Sequence, residues 1–567
     1  MLTALRVGNF KAFGATQTLP LKPITLIFGP NSSGKSSLIH ALLLAHEAER
    51  VGKLDVFRTE IGGDSVDLGG FRQYVYRRNA AQRVEWGFEL DARALKDRLG
   101  VRLEPADRIG GSLSFGFELD NEGEPKPGAD PKVDAYSVDI DGTTFLRASR
   151  RADGHLRLDH LNHQHPCFRD LVSALVLSTT TAARLEEADY AAATDAIAEL
   201  VPEITIPLGN LLPRSRAPER SPVLMPISRG QRRADLASAI QLVLPWTLHR
   251  IVNGITEGLV EELHRLRYLG PLRSYPPRHL AADQYHDPNW LAGGGHAYDL
   301  LRRDEEIRAS VNHWLGDAEK LSTCYEVVVR PLVTIEDLEP FYALLIGDIW
   351  QRESKALEES DSPAGESEPE LDPTLNKVLN FLRGDTPPDD TDYIRETEEA
   401  LSKLKKLEPR LSRFQLLELK DKRNDTIVTH RDVGIGVSQV LPVLVNAYGS
   451  TRSIVAIEQP EIHLHPGLQS ELADVFIESA LGERKNTFIL ETHSEHLILR
   501  VLRRIRETAD DELPKDMKPI RPSDVAVLYV QPSGKGAEVV EIKATDDGEF
   551  ATPWPNGFFA ERARELF

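Results

Sequence analysis

The sequence predicts an α/β fold, and three stretches predict it. The first is the octapeptide Gly29-Pro30-Asn31-Ser32-Ser33-Gly34-Lys35-Ser36, entered by the apolar run Ile24 to Phe28 and left by the helix-forming run Ser37 to Ala45. The second is Ser453 to Glu458, a short apolar run that ends in an acid. The third is Thr487 to Ser494, a strand-like run that ends in Thr492-His493. A carboxylate closing a buried strand is what a phosphate-binding loop needs opposite it, to orient Mg²⁺ and its water.

The octapeptide fits G-x-x-x-x-G-K-[ST], and the strand before it and helix after it are the context that motif requires. Gly29 and Gly34 let the backbone wrap a phosphate so that successive N–H groups point inward. The start of the following helix adds its positive end. Lys35 is expected to reach the β- and γ-phosphates of ATP, and the Ser36 hydroxyl to hold Mg²⁺. The whole run from Gly29 to Ser37, through Pro30, Asn31, Ser32 and Ser33, is the expected nucleotide cradle. The ordinary alternative, a Gly turn before a helix, does not account for the full spacing and the Lys-Ser pair.

Composition sets the outer limits. With 567 residues, length gives about three or four domains' worth of chain. Net charge is −20, so the surface as a whole is no nucleic-acid footprint, although a local basic groove remains compatible. Two cysteines, Cys167 and Cys324, cannot build a disulfide framework and fit a reducing cytosol. No run of 18 apolar residues and no signal peptide are visible, so a cytoplasmic location and no membrane span are expected.

Along the chain, Leu2 to Phe13 and Gln17 to Leu21 read as strands, and Gln73 to Tyr76 as the start of another. Val84 to Leu90, Ser112 to Leu119, Ala135 to Ile140 and Thr143 to Ala148 read as an antiparallel β lobe. Residues 1–160 are therefore expected as the first half of the core with its lobe. Residues 161–413 read as a mainly helical insertion: Leu171 to Val176, Ala182 to Leu200, Arg233 to Leu266 and Tyr298 to Leu315. Within it, 354–392 is acidic and rich in Pro and Ser, and is expected to be largely disordered. Tyr393 to Leu411 reads as a charged, solvated helix. Residues 414–567 return to strands and to chemistry.

Some 20 residues before Glu458 lies Asp432-Val433-Gly434-Ile435-Gly436-Val437-Ser438-Gln439, a second Gly-rich turn opening a helix. Taken together, these pieces resemble ABC-type ATPases of the SMC/RecF/OLD-like group, often labelled AAA-family ATPases. Gly29 to Ser36 resembles Walker A, Gly434 to Gln439 the signature motif, Ile454 to Glu458 Walker B, and His493 the switch histidine. Asn9 to Phe13 resembles the group's opening strand, and Glu458 to Pro466 its Walker B and D-loop region. Tyr268 to Arg273 and Trp554 to Phe559 resemble a bacterial subfamily found beside defence and mobile-element genes. The resemblance covers roughly residues 1–90 and 414–567.

The resemblance implies ATP and Mg²⁺, with Ser36 and Glu458 at the metal and Glu458, Gln459, Glu461 and His493 as the catalytic set. It implies a homodimer, or a heterodimer with a related ATPase, with nucleotide sandwiched between Walker A of one subunit and Ser438 and Gln439 of the other. Gln73 is then the expected Q-loop residue; its alternative is a plain polar strand residue. One departure stands out: the group commonly carries Asp-Glu where this chain has Glu458-Gln459. Gln cannot take a proton, so either Glu461 supplies the base or hydrolysis is slow and ATP acts as a clamp.

Three functions are open at this point. The first is an ATP-gated sensor or regulator of a bacterial anti-phage defence system that controls a separate effector. The others are an SMC/RecF-like DNA-clamping maintenance ATPase and a non-hydrolysing scaffold switched by ATP. DNA contacts would fall to Arg229, Arg232 and Arg233 and to Arg265, Arg267, Arg273 and Arg278; the ordinary reading of these arginines is solvated surface or internal ion pairs. Asp510-Asp511 and Asp546-Asp547 read as surface acids. His463 and His465 fit the D-loop region better than a zinc site.

Overall fold

The structure, a computed structural model, describes residues 1–101, 103–104, 106–179, 186–214, 232–274, 287–317, 320–332, 414–430 and 432–555. The acidic stretch 354–392, the helix expected over Tyr393 to Leu411, Arg229, Arg278 and Asn556 to Phe559 lie outside these residues.

The chain opens with β1 (Leu2–Gly8), β2 (Gln17–Pro20) and β3 (Ile24–Phe28), then α1 (Lys35–Val51). Single-turn helices α2 (Phe71–Tyr74) and α3 (Lys96–Leu99) flank β4 (Val84–Asp91). The lobe continues through β5 (Arg108–Gly116), β6 (Lys132–Ile140), β7 (Thr143–Arg150) and β8 (Leu156–Leu161). Next come α4 (Pro166–Thr179), α5 (Glu187–Leu200), β9 (Thr205–Ile206), α6 (Arg232–His264) and β10 (Leu266–Leu269). Then α7 (His296–Arg303) and α8 (Glu305–Gly316) precede β11 (Tyr325–Leu332), β12 (Phe414–Asp421) and β13 (Thr426–Val428). The chain ends with α9 (Ile435–Tyr448), β14 (Ile454–Glu458), α10 (Pro466–Leu481), β15 (Thr487–Glu491), α11 (Glu495–Ala509), β16 (Val525–Ser533) and β17 (Gly536–Ile542).

The central sheet has the order β10-β14-β15-β3-β16-β17. Its first five strands run parallel, and β17 returns antiparallel to β16. Every residue of β3, β14 and β15 is buried, the pattern of strands covered on both faces. Alternation along each strand splits the core in two. Ile27, Ala456, Ile489 and Leu528 face α1, α6 and the lobe. Leu26, Val455, Leu490 and Val527 face α9, α10 and α11.

The lobe is an eight-stranded antiparallel sheet, β2-β1-β4-β5-β6-β7-β8-β9. It packs onto the helix that leaves the Gly-rich loop: the Trp86 indole on β4 donates to the Ala41 carbonyl of α1 at 3.1 Å. A third sheet, β11-β12-β13, lies beside α7 and α8.

Three sequence expectations are corrected. β1 stops at Gly8 because Asn9 and Lys11 take left-handed φ values of 50° and 43°, folding Phe10 to Phe13 into a turn. Gln73 lies on the helix α2, not on a strand, after Gly70 with φ 80°. The helix expected over Tyr298 to Leu315 breaks at Asp304, whose carboxylate accepts from Ile307 N at 3.0 Å and caps α8. Within the stretch 161–413, β10 forms the edge of the central sheet beside β14.

Candidate functional site

The loop between β3 and α1 sits at the C-terminal edge of the parallel strands, where open α/β sheets collect ligands. Two glycines are required there by space as well as by φ. Gly29 has φ 147°, and a Cβ on it would lie 2.3 Å from the Val530 carbonyl oxygen. Gly34 has φ 102° and caps α1; a Cβ there would meet Ala12 at 2.4 Å. Pro30, Asn31 and Ser32 form an exposed rim, while Ser33, Lys35 and Ser37 are buried. The buried Ser33 hydroxyl has no hydrogen-bond partner.

Lys35 folds back into the loop. Its ammonium donates to the carbonyls of Gly29 at 3.2 Å and Pro30 at 3.0 Å, and lies 3.8 Å from Glu491 Oε1. Burial lowers its pKa, opposed by the charges of Glu491, Glu458 and Glu461. One cation thus faces three carboxylates from two neighbouring strands and the turn after β14.

Each carboxylate has a different setting. Glu458, at the end of β14, accepts on Oε1 from the Tyr268 hydroxyl at 2.9 Å, with His40 Nε2 at 3.5 Å from the same oxygen. His40 Nδ1 is 2.6 Å from the Lys11 ammonium. Lys11 is lowered to about 8 by burial, so it still carries a proton for most of its population at neutral pH. A neutral imidazole accepting from Lys11 and donating to Glu458 satisfies both contacts.

Glu461 accepts from the His493 backbone N–H at 2.7 Å on Oε1, and its Oε2 is buried without a partner. Burial raises its pKa. Glu491 pairs in register with Glu458 on one side and Ile27 on the other. Glu491 Oε2 is also buried without a partner. Burial and then the neighbouring Glu458 raise Glu491 to about 7.

The other expected residues distribute unevenly. The Gln459 backbone is left-handed at φ 49°; its N–H donates to the Glu491 carbonyl at 2.7 Å and its carbonyl accepts from Arg273 at 2.9 Å. His493 is half-buried at the mouth of α11, its pKa lowered by burial and by Lys35. Ser438 is buried; its hydroxyl donates to the His430 carbonyl at 2.8 Å, so it faces its own chain. Gln439 is buried too, its carbonyl held by Arg273 at 2.7 Å. The exposed part of this helix start is Gly434 and Ile435. Gln73 is exposed on α2 and joins none of these contacts.

Five residues beside the loop were not on the expected list: Glu491, Tyr268, Arg273, His40 and Lys11. Glu491 was readable, because Phe488 to Glu491 ends in an acid just as Val455 to Glu458 does. Tyr268 and Arg273 were visible only as a resemblance; the structure makes them a brace between β10, α9 and β14. Arg273 is consequently no nucleic-acid contact, being buried and spent on two carbonyls.

The donor set fits a magnesium triphosphate. A hydroxyl and carboxylates are hard oxygen ligands, and Mg²⁺ is usually held by one or two carboxylates plus substrate phosphates. The buried, unpartnered Ser33 hydroxyl and the two free carboxylate oxygens border the same loop and strand ends.

Fold and site are those of a P-loop nucleotide-binding core. Residues 4–107 match the AAA domain family model, and residues 336–498 match the AAA ATPase domain model, so both halves of the site carry AAA-family sequence. A stretch of 42 residues is 50% identical to the chromosome partition protein Smc of Synechococcus; it spans 7% of this chain and 4% of that protein. Among solved structures, an Smc head bound to the C-terminal winged-helix domain of ScpA has 10% identity and a TM-score of 0.34, covering 96% of this chain and 97% of its own. The Smc head of Pyrococcus furiosus with the C-terminal domain of ScpA has 10% identity and a TM-score of 0.32, covering 100% and 98%. The SMC head of Thermotoga maritima has 8% identity and a TM-score of 0.30, covering 95% and 98%. The assignment rests on the loop and the parallel strands, not on these overall superpositions. Among the described residues, no helix is long and apolar enough to cross a membrane.

Proposed function

We propose that this protein binds and hydrolyses ATP with Mg²⁺, and uses the nucleotide to gate a dimer that regulates a separate effector in a bacterial anti-phage defence system. The observation that carries the ATP site is the meeting of Lys35 with Glu491, 3.8 Å away, across β3 and β15, with Glu458 one strand further on.

In this reading the Gly29 to Ser37 backbone and the start of α1 wrap the triphosphate. Lys35 leaves the Gly29 and Pro30 carbonyls for the phosphates, and Ser36 and Glu458 hold the metal's water shell. Bound Mg²⁺ supplies charge neutralisation on the β- and γ-phosphates. Gln459 orients the attacking water, Glu461 accepts its proton, and His493 donates to the γ-phosphate edge. Glu461 has one oxygen tied to the His493 N–H, so base and switch histidine move together.

Dimer closure would bring the start of α9 from a second subunit over the nucleotide. Ser438 is inward-facing, so the exposed Gly434 and Ile435 make the first contact, and Ser438 and Gln439 act after rearrangement. A second reading, an ATP-held clamp with slow turnover, is favoured by Gln459 standing where a base is usual. The effector and the defence setting are supported by the subfamily likeness of Tyr268 to Arg273 and Trp554 to Phe559.

The test is Lys35→Ala in the full chain, with ATP binding followed by filter retention and particle size by light scattering, with and without ATP and Mg²⁺. We expect loss of binding and of any ATP-dependent size increase. Wild-type binding by the variant would refute the site.

A further inference from the structure

The stretch Tyr268 to Arg273, the end of β10 and the turn after it, lies outside the loop that wraps the triphosphate, yet it holds three elements around the site. The Tyr268 hydroxyl donates to Glu458 Oε1 at 2.9 Å. The Arg273 guanidinium forks. One nitrogen donates to the Gln439 carbonyl in α9 at 2.7 Å, and another to the Gln459 carbonyl after β14 at 2.9 Å. The side chain is buried, and its Nε has no partner.

A buried cation is costly unless it is paired, and Arg273 has carbonyls where a carboxylate is usual. Burial lowers its pKa to about 10, opposed first by the charge of Glu461, so it stays protonated at neutral pH. An apolar side chain would fill the same space more cheaply. What a planar fork adds is the fixing of two main-chain segments against each other.

Both segments need it. Gln459 is left-handed at φ 49°, a strained conformation for a residue with a Cβ, and its N–H is held by the Glu491 carbonyl. α9 contains Pro442, which has no N–H, so the Ser438 carbonyl four residues earlier loses its helical donor. The Tyr298 hydroxyl replaces it, donating to that carbonyl at 3.1 Å. The carbonyls of Ser438 and Gln439 are thus gripped by Tyr298 and Arg273, while the Ser438 hydroxyl is turned to the His430 carbonyl.

Resting on the ATP-gated dimer proposed above, we infer that Arg273 is a positioning residue that couples α9 to the turn carrying Gln459 and Glu461. α9 cannot rotate to offer Ser438 to a second subunit without shifting the guanidinium, and the Gln459 carbonyl shifts with it. Nucleotide at the strand ends and the surface offered to the partner are then linked through one side chain. None of its hydrogen bonds goes to the Gly29 to Ser37 loop, so ATP binding by the single chain does not depend on it.

The experiment compares full-length wild type, Arg273→Lys and Arg273→Met by thermal melting, ATP affinity in calorimetry, particle size with and without ATP and Mg²⁺, and kcat and KM for phosphate release. Arg273→Met is expected to bind ATP within about threefold of wild type, to lose the ATP-dependent size increase, and to drop in kcat by about tenfold or more. Arg273→Lys keeps the charge without the fork; it should melt as wild type with KM unchanged, yet keep a reduced kcat. If Arg273→Met does not fold, Arg273→Lys decides by that split between kcat and KM. Wild-type kcat and size increase in Arg273→Lys and in any folded Arg273→Met would overturn the inference and leave the gated dimer standing. So would ATP affinity that falls in step with the melting temperature in both variants, the mark of a plain structural brace. A wild-type chain that binds ATP without any size increase would overturn the gated dimer itself, and this inference with it.

Discussion

The central sheet and the antiparallel lobe are built on opposite plans. The lobe takes its strands almost consecutively from the first 206 residues, each hairpin leading to the next. The central sheet draws β3, β10, β14, β15 and β16 from positions between 24 and 533 and aligns them in parallel. Local pairing gives the lobe its regularity but leaves its strand ends scattered along both edges. Long-range parallel pairing is slower to assemble, since loop closure comes first, yet it points every strand C-terminus the same way. Lys35, Glu458, Glu461, Glu491 and His493 meet for that reason. The lobe's contribution is support: it presses on α1, the helix that presents Lys35 and Ser36.

The comparison can be broken most severely on the side away from the lobe. Asp474 on α10 is fully buried and takes Arg504 at 2.8 and 2.9 Å and Arg500 at 2.6 Å, both on α11. Asp474→Ala leaves Arg504 with Glu507 and Arg500 with Glu471 but empties the buried centre of this network, and should destabilise the layer by about 2–3 kcal/mol. Thermal melting and limited proteolysis of α11 would measure it; an unchanged melting point would show that these two helices are not what covers the central sheet.

A smaller effect tests whether lobe and sheet are one unit. Trp86→Phe removes the indole donor to Ala41 and part of the packing on α1, at a cost of about 1–2 kcal/mol. If the two regions share α1 as their core, the variant should still melt in the same transition as the central sheet. A separate, earlier transition for the lobe would divide the molecule where the structure unites it.

The mildest test is chemical. Cys167 on α4, packed under the lobe, is buried and its thiol is pushed up to about 11 by burial. Being in the neutral form at pH 8, it should resist alkylation. Cys324, next to β11 in the third sheet, is partly exposed and should react. One thiol should titrate in the native chain and two in denaturant; two in the native chain would mean that the lobe opens readily.

Much of this was readable in advance, and residue by residue the reason is plain. Ile24 to Phe28, Ile454 to Glu458 and Thr487 to Glu491 are short, mainly apolar runs, and such runs at strand length bounded by polar turns have few other uses. Gly29 and Gly34 announce a backbone that no other residue could follow. Gln73 misled because Gln73 to Tyr76 has strand-like composition; Gly70 and the packing of Phe71 and Tyr74 turn it into a helix end. Ser438 shows what a local pattern leaves out: nothing in the Gly-rich run discloses that the His430 carbonyl accepts from its hydroxyl.

The sequence alone determined the phosphate loop, the strands that carry the acids, and the α/β class, because these depend on local sterics and on periodic burial. Which acid stands beside Lys35 was decided only by tertiary structure. Strand order is set by the summed burial of two cores and by crossovers hundreds of residues long, and no local pattern records it. Placing β15 between β3 and β14 is what turns Glu491 toward the lysine and sets Glu458 behind it.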